Sequence, residues 1–421
     1  MSASTKSKAL FASLIALCLV IQACGGMDGL KPQLVSASSP SPSPPPQITP
    51  AINDGLFGMH IHRIDAGTPW PAARITTWRL WDAGVAWKDL EPASGVFNFS
   101  LLDQYVAVAQ EHSTEILLTL GYTPQWASQR PQEPSDGGPG SSAPPSDIGS
   151  WDKFITALVT RYKGRIQAYE ILNEPNLAKY FTGSVADQFV LLKHAYMIIK
   201  QIDPSATVLS PGYMGKGFLQ LDQLLAMGGA QYIDVVAYHF YDFPAKPEAM
   251  DGFIKSVLNV LTSHQIDKPI WDTEIGYGPG QTFSGEDQQA SYFVRTIMVH
   301  WNDKIERAYW YAWDNHGWAR LWMTEPDSTT LTKAGTAYNV LYTWISNAQK
   351  GDCSISQSAA INSCSLVLAD GKLAHILWMS TGQTSFALPP DWHATAVQDL
   401  KGINTPLGST VPVTESPALV F

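Results

Sequence analysis

Between residues 55 and 345, short apolar runs alternate with longer segments whose apolar residues recur at helical spacing, and this alternation limits the available folds more than any other feature. The strand candidates read LFGMHIH (56–62), TTWRLWD (76–82), EILLTLG (115–121), AYEILN (168–173), ATVLSPG (206–212), IDVVAYHFY (233–241), PIWDTE (269–274) and RAYWYAWD (307–314). Between them lie helical patterns such as LLDQYVAVAQEH, SWDKFITALVTRYK, VADQFVLLKHAYMIIKQI, MDGFIKSVLNVLTSH and EDQQASYFVRTIMVHW. Strands buried on both faces and separated by helices suit a closed parallel barrel. A doubly wound open sheet is the rival, but it needs a glycine-rich phosphate loop after its first strand, where MHIHRIDAG stands instead. The expected class is therefore α/β, with a (β/α)8 TIM barrel over residues 51–348.

Beyond the last helical pattern, TKAGTAYNVLYTWIS, the periodicity changes. Residues 349–421 carry short runs such as SLVLA, LAHILWM, TSFAL and ALVF between Gly, Pro and Asp turns, which predicts a small β-sandwich. A strand from residues 51–55 is expected to join it. At the other end, Lys6 and Lys8 precede the apolar run ALFASLIALCLVIQAC, which is short for a membrane span and has the form of a secretory signal, residues 1–24. Residues 25–50 include SASSPSPSPPPQITP, a Ser/Pro composition that cannot pack a core and reads as an extended tether.

The chain is therefore expected to be exported, and its cysteines are read in an oxidising compartment. Cys353 and Cys364 enclose a segment without His or acid, CSISQSAAINSC, so a disulfide fits better than a metal site. The signal ends VIQACGG, which resembles a bacterial lipoprotein signal with Cys24 as the lipidated residue; an ordinary signal with an incidental cysteine is the alternative. The expected location is the bacterial cell envelope, with membrane contact only through that lipid. A net charge of -10 without a basic run excludes a nucleic-acid partner. Fifteen Trp and sixteen Tyr in 421 residues suit a sugar-binding cleft, because flat aromatic faces with a polar edge stack well on carbohydrate.

A barrel places its chemistry where strands end and side chains leave the packed interior for the mouth. In YEILNEPNL (169–177) that position falls on Asn173 and Glu174, after the fourth strand; in WDTEIGY it falls on Glu274, ending the seventh. Two acids facing each other across a barrel mouth are what double-displacement glycoside hydrolysis requires: one protonates the departing oxygen and the other attacks the anomeric carbon.

These motifs resemble those of clan A glycoside hydrolases, with NEP after strand four and TE at the end of strand seven. WKDLEPASGVFNFSLLDQYV, TLGYTPQWAS and PPSDIGSWDKFITALVTRYKGRIQAYEILNEPN are similar to glycoside hydrolase family 39 and its bacterial exopolysaccharide-degrading relatives, over about residues 55–345. The resemblance implies a retaining glycosidase without metal or organic cofactor, with Glu174 as acid/base and Glu274 as nucleophile, acting on a carbohydrate substrate. A transglycosylase using the same acids, or an inactive carbohydrate-binding lipoprotein, are the alternatives.

Around the two acids the sequence offers supporting residues. Asn173 is positioned to donate to a sugar 2-hydroxyl. Arg79, near the end of strand two, is expected either to hold Glu274 ionised or to pair with Asp82. His239 and Tyr241 end strand six, where a phenol can donate to the nucleophile or simply pack in the core. Trp313 is expected to form a platform under the reacting sugar and Trp126 a wall of the cleft. His60 and His62 are read as alternating on strand one, so that only one faces the interior, and neither as a metal ligand. The loop 128–147, SQRPQEPSDGGPGSSAPPSD, either shapes the cleft or is a mobile insertion.

Overall fold

The computed structural model describes residues 53–358 and 361–421. The proposed signal, tether and lipidation site at Cys24 lie outside the described residues. Nine strands run β5-β4-β3-β2-β1-β9-β8-β7-β6, every pair parallel. They are β1 (Gly58–Met59), β2 (Thr77–Leu80), β3 (Glu115–Leu120), β4 (Ala168–Ile171), β5 (Thr207–Leu209), β6 (Tyr213–Met214), β7 (Val236–His239), β8 (Ile270–Gly276) and β9 (Arg307–Tyr311). β5 and β6 are two halves of one stave, interrupted at Pro211, which has no N–H to give a ladder. Bridges from Leu209 to Val235 and from Tyr213 to Tyr238 close the ring, so the eight sequence strands form the eight staves of a (β/α)8 barrel.

The barrel interior is layered. Leu117, Ala168, Leu209, Ala237, Trp271 and Tyr309 form an apolar plug. Two residues further along several strands the inward positions turn polar: Thr119 follows Leu117, Glu170 follows Ala168, His239 follows Ala237 and Thr273 follows Trp271. Because side chains two apart share a face, the chemistry of the mouth rests on the plug. The intervening outward residues face the helices. Asp272, between Trp271 and Thr273, accepts at 2.6 Å from Nε2 of His300 on the helix Glu286–Asn302 and ties β8 to it.

Residues 349–421 fold into an antiparallel sheet of six strands and a separate two-stranded ribbon (Thr384–Ala387 with Thr410–Val413), with Leu377, Met379, Val411, Val413 and Val420 packed between them. This is the expected β-sandwich. Cys353 and Cys364 sit opposite each other on its first two strands and are disulfide-bonded. The expected strand upstream of the barrel does not form among the described residues. Asp54–Phe57 is a 3-10 turn, and the Asn53 amide donates to the carbonyls of Ile345 (2.5 Å) and Ala348 (3.0 Å). This segment serves the end of the last barrel helix, whose terminal carbonyls need donors.

A buried ion pair joins barrel and sandwich. Arg295 grips Glu248 through Nε (2.7 Å) and Nη2 (2.6 Å), and Trp378 of the sandwich donates to the same carboxylate at 2.8 Å. The charge on Glu248 is thus met from both domains.

Candidate active site

Glu174 and Glu274 meet at the C-terminal end of the barrel, each almost fully buried, at 5% and 8% exposure. Glu174 lies in a tight turn after β4. Leu172 and Glu174 both have positive φ, 72° and 40°, a conformation that non-glycine residues hold only when their surroundings enforce it. The enforcement is visible: Glu174 N donates to the Gly212 carbonyl (2.8 Å), and Gly212 N donates to the Leu172 carbonyl (3.0 Å). Gly212 has to be glycine, since a Cβ there would stand 2.5 Å from Glu170 Oε1 and 2.9 Å from His239 Nε2. Glu274 reaches the interior by another device. The β8–β9 register shifts between Asp272 and Ile275, where one extra residue on β8 opposes β9. Such a bulge re-aims a side chain, here turning Glu274 towards the mouth next to inward-facing Thr273.

Arg79 on β2 organises the layer beneath. It is buried, donates from Nη1 to Glu274 Oε2 (2.8 Å), from Nη2 to Asn173 Oδ1 (2.7 Å), and from Nε (2.9 Å) and Nη2 (2.5 Å) to Glu170 Oε2. Glu170 also accepts from Thr119 (2.7 Å) and Thr273 (2.5 Å). The expected hold on Glu274 is present in this geometry, and the alternative pair with Asp82 does not form. Burial opposes charge on Arg79, but Glu170 and Glu274 outweigh it and keep the guanidinium protonated. Binding Asn173 through Oδ1 leaves its amide NH2 as the end that can donate to a ligand.

The other oxygen of Glu274 accepts from Tyr241 at 3.0 Å. Burial, then the charges of Glu274 and Glu174, push that phenol far up, so it stays a donor. Glu174 Oε1 lies 2.9 Å from His239 Nδ1. Burial works against protonation of His239, but the Glu174 hydrogen bond and the Glu274 charge prevail and raise its pKa. Glu274 is itself raised, first by burial and then by Glu174 and Asp82, against the pull of His239 and Arg79.

Glu174, His239 and Glu274 each offer a donor atom within 4.8 Å of the others, a spacing a cation could bridge. The set fits a metal poorly, because the guanidinium on Glu274 and the imidazole on Glu174 already supply positive charge at both carboxylates. The carboxylate oxygens are at the same time close enough to act on the two sides of one bond.

Three expectations are corrected here. Trp313 is no sugar platform: the chain leaves the ladder at Tyr311, and Trp313 sinks into the core at 1% exposure. Trp126 is not a wall beside the acids. Its indole N–H is bound to the Glu91 carbonyl (2.9 Å), and it lines a separate groove on the barrel flank with residues of the helix Ile148–Tyr162. His60 and His62 do not point apart. Residues two apart share a face, and both rings pack on Tyr311 with centroids 5.0 and 4.9 Å away. Burial, then Arg79 and His62, hold His60 well below the usual imidazole range, so it is neutral.

The aromatics that do flank the mouth come from other positions. Trp81, Tyr122 and Tyr180 form one cluster, with Trp81 stacked on Tyr122 at 5.0 Å. Tyr241, Tyr311 and Trp318 form another. The loop 128–147 is folded rather than loose: Gln129 N donates to the Pro144 carbonyl (2.9 Å) and Gly140 N to that of Glu133 (2.7 Å). It packs Gly137 so tightly on Tyr122 that a Cβ would lie 2.7 Å from the ring. The loop thereby brings Asp136 to a cleft of about 280 Å³ beside Trp81, Asp82, Lys88, Asp89 and Tyr122.

Comparison with known proteins agrees with this geometry. Residues 82–215 match the sequence profile of Glycosyl hydrolase family 10, and residues 151–338, which include both glutamates, match that of the Glycosyl hydrolase catalytic core. An endo-1,4-beta-xylanase C of Phanerodontia chrysosporium is 35% identical over 89 residues, 21% of either chain; the aligned stretch thus spans about a fifth of that relative. A family 39 glycoside hydrolase of Bacteroides cellulosilyticus WH2 superposes with a TM-score of 0.70 at 18% identity, covering 88% of this chain and 82% of that one. A GH39 beta-xylosidase of Caulobacter crescentus gives 0.64 at 15% identity, covering 88% and 97%. These matches bear out the clan A resemblance read from the motifs, and the fold neighbours include the family 39 proteins it pointed to.

Proposed function

We propose that this chain, whose barrel carries a glycosyl hydrolase catalytic domain of clan A, cleaves β-linked glycosidic bonds in a polysaccharide or oligosaccharide with retention of anomeric configuration. The observation that carries the reading is the Glu174–Glu274 pair, with carboxylate oxygens within 4.8 Å. Retaining enzymes hold their carboxyls about 5–5.5 Å apart, whereas inverting ones need about 6.5–9.5 Å to admit a water between them.

The surroundings divide the roles. Glu274, bonded to Arg79 and Tyr241, is the carboxylate that attacks the anomeric carbon while Glu174 gives its proton to the departing oxygen. Glu174 then takes a proton from water, which attacks the glycosyl ester, restores Glu274 and releases a sugar of unchanged configuration. His239, on Glu174, orients that carboxyl through both steps. The Asn173 amide is placed to donate to the 2-hydroxyl, a contact that strengthens as charge develops on the ring. The xylan-cleaving names among the relatives favour a β-linked backbone. The proposed setting is the bacterial cell envelope, with the chain lipidated at Cys24 and tethered by the Ser/Pro segment.

The test is proton NMR of the first product released from a β-linked oligosaccharide found by screening. A β-anomer appearing before mutarotation supports the reading, and an initial α-anomer defeats it.

A further inference from the structure

Glu170 sits one layer below the two acids and binds the groups that hold them. It is fully buried on β4, four residues before Glu174. Four hydrogen bonds are donated to it: from Arg79 Nε (2.9 Å), Arg79 Nη2 (2.5 Å) and Thr119 Oγ1 (2.7 Å) to Oε2, and from Thr273 Oγ1 (2.5 Å) to Oε1. Accepting from every partner is the pattern of an ionised carboxylate. One side chain thus joins β2, β3, β4 and β8, and β4 and β8 lead to the two acids. His239 Nε2 stands 3.9 Å from Oε1, beyond hydrogen-bond reach, so Arg79 is the cation that Glu170 engages. The grip also aims the guanidinium. With Nε and Nη2 on Glu170, Nη1 is the end that meets Glu274 Oε2, at 2.8 Å.

Resting on the hydrolase reading, we propose that Glu170 is a positioning residue of the reaction, which aims Arg79 at the nucleophile and takes up part of its charge. The physical reason is competition for one cation. A guanidinium committed wholly to Glu274 would favour the ionised carboxylate strongly and make it a weaker nucleophile. Shared between two anions at a buried site, where charges act over short range with little screening, it orients Glu274 while leaving its oxygens reactive. The other groups facing Glu274 are Glu174 after β4, His239 and Tyr241 at the end of β7, Asp82 after β2, and the phenols of Tyr180 and Tyr311. Tyr311 donates to Asp82 at 3.2 Å. Among all of these and Arg79, Arg79 is the charged link that bonds both Glu170 and Glu274.

The experiment is the pH profile of kcat/KM for the full chain and for its Glu170→Gln and Glu170→Asp variants, on one glycoside that the unmodified chain turns over, with circular dichroism verifying each fold. Gln keeps the shape and can still receive Arg79 while removing the charge; Asp keeps the charge on a shorter arm. The acid limb of Glu170→Gln should move to lower pH by at least about half a unit, with kcat down roughly tenfold and KM within about twofold. Glu170→Asp should hold the limb within about a quarter of a unit and still lose roughly tenfold in kcat, because Arg79 follows the shorter arm away from Glu274. A merely structural counter-ion would change stability and leave the limb and kcat of the folded variants in place. That outcome, an upward shift in Glu170→Gln, or the same shift in both variants overturns the proposal. Should Glu170→Gln fail to fold, Glu170→Asp decides alone: the kcat loss at an unmoved limb supports the proposal, and an unchanged kcat overturns it. If the unmodified chain turns over no glycoside, the hydrolase reading falls and this proposal with it, whereas turnover with an unmoved limb in Glu170→Gln defeats this proposal only.

Discussion

Arg79 holds Glu274 through one hydrogen bond, 2.8 Å from Nη1 to Oε2, while its remaining nitrogens are committed to Glu170 and Asn173. One guanidinium thus balances two buried carboxylates and fixes the amide beside the third. The geometry depends on a rigid planar fork, which an ammonium cannot reproduce.

Replacing Arg79 by Met removes the guanidinium that pairs directly with both Glu170 and Glu274 in the barrel interior. Removing one partner from a buried pair costs about 3–5 kcal/mol. The urea midpoint of Arg79→Met should fall accordingly, and Arg79→Lys should recover part of the stability but little of kcat. A midpoint unchanged in Arg79→Met contradicts the assignment.

The two acids should fail differently. Glu274→Gln removes the nucleophile and should lower kcat on the order of 10⁴-fold or more on every substrate. Glu174→Gln removes the proton donor and should cost about 10²–10⁴-fold on alkyl or sugar leaving groups, and far less on activated aryl ones. Equal losses across leaving groups in Glu174→Gln would contradict its role.

Much of this site was legible in the sequence, and the misses have physical causes. Strand-end position alone located Glu174, Glu274, Asn173, His239 and Tyr241, because a parallel barrel delivers residues to its mouth at a fixed place. Glu170 was missed, although an acid and an arginine, each inside a strand buried on both faces, call for one another. Asp82 and Tyr311 meet only through the packing of β2 against β1 and β9, which no local pattern encodes. Trp126 failed as a wall of the cleft and Trp313 as a sugar platform for a related reason: beyond the end of a strand, alternation no longer dictates direction.

Burial raises Glu274 above the ordinary carboxylate value of 4.5, with Glu174 and Asp82 adding to the effect against His239 and Arg79. The nucleophile must be ionised, so kcat/KM should fall with decreasing pH along a limb centred above 4.5. The folded state binds this proton more tightly than the unfolded chain does. The group's contribution to stability is therefore full below 4.5 and lost as pH rises through the folded value. In Glu274→Gln the stability profile should lose this component, as followed by urea unfolding against pH. An acid limb at or below 4.5 contradicts the shift.

Lipidation at Cys24 is tested by fractionating cells that express Cys24→Ser. The variant should leave the membrane fraction and keep full activity. Unchanged membrane association would remove the anchor.

The most direct test of the central claim is peptide mass spectrometry of the enzyme after reaction with a 2-deoxy-2-fluoro glycoside bearing an activated leaving group, which forms the glycosyl ester quickly and hydrolyses it slowly. The account predicts one added sugar per chain, on the peptide containing Glu274 and on that carboxylate. A label on Glu174, or turnover without any covalent adduct, would contradict it.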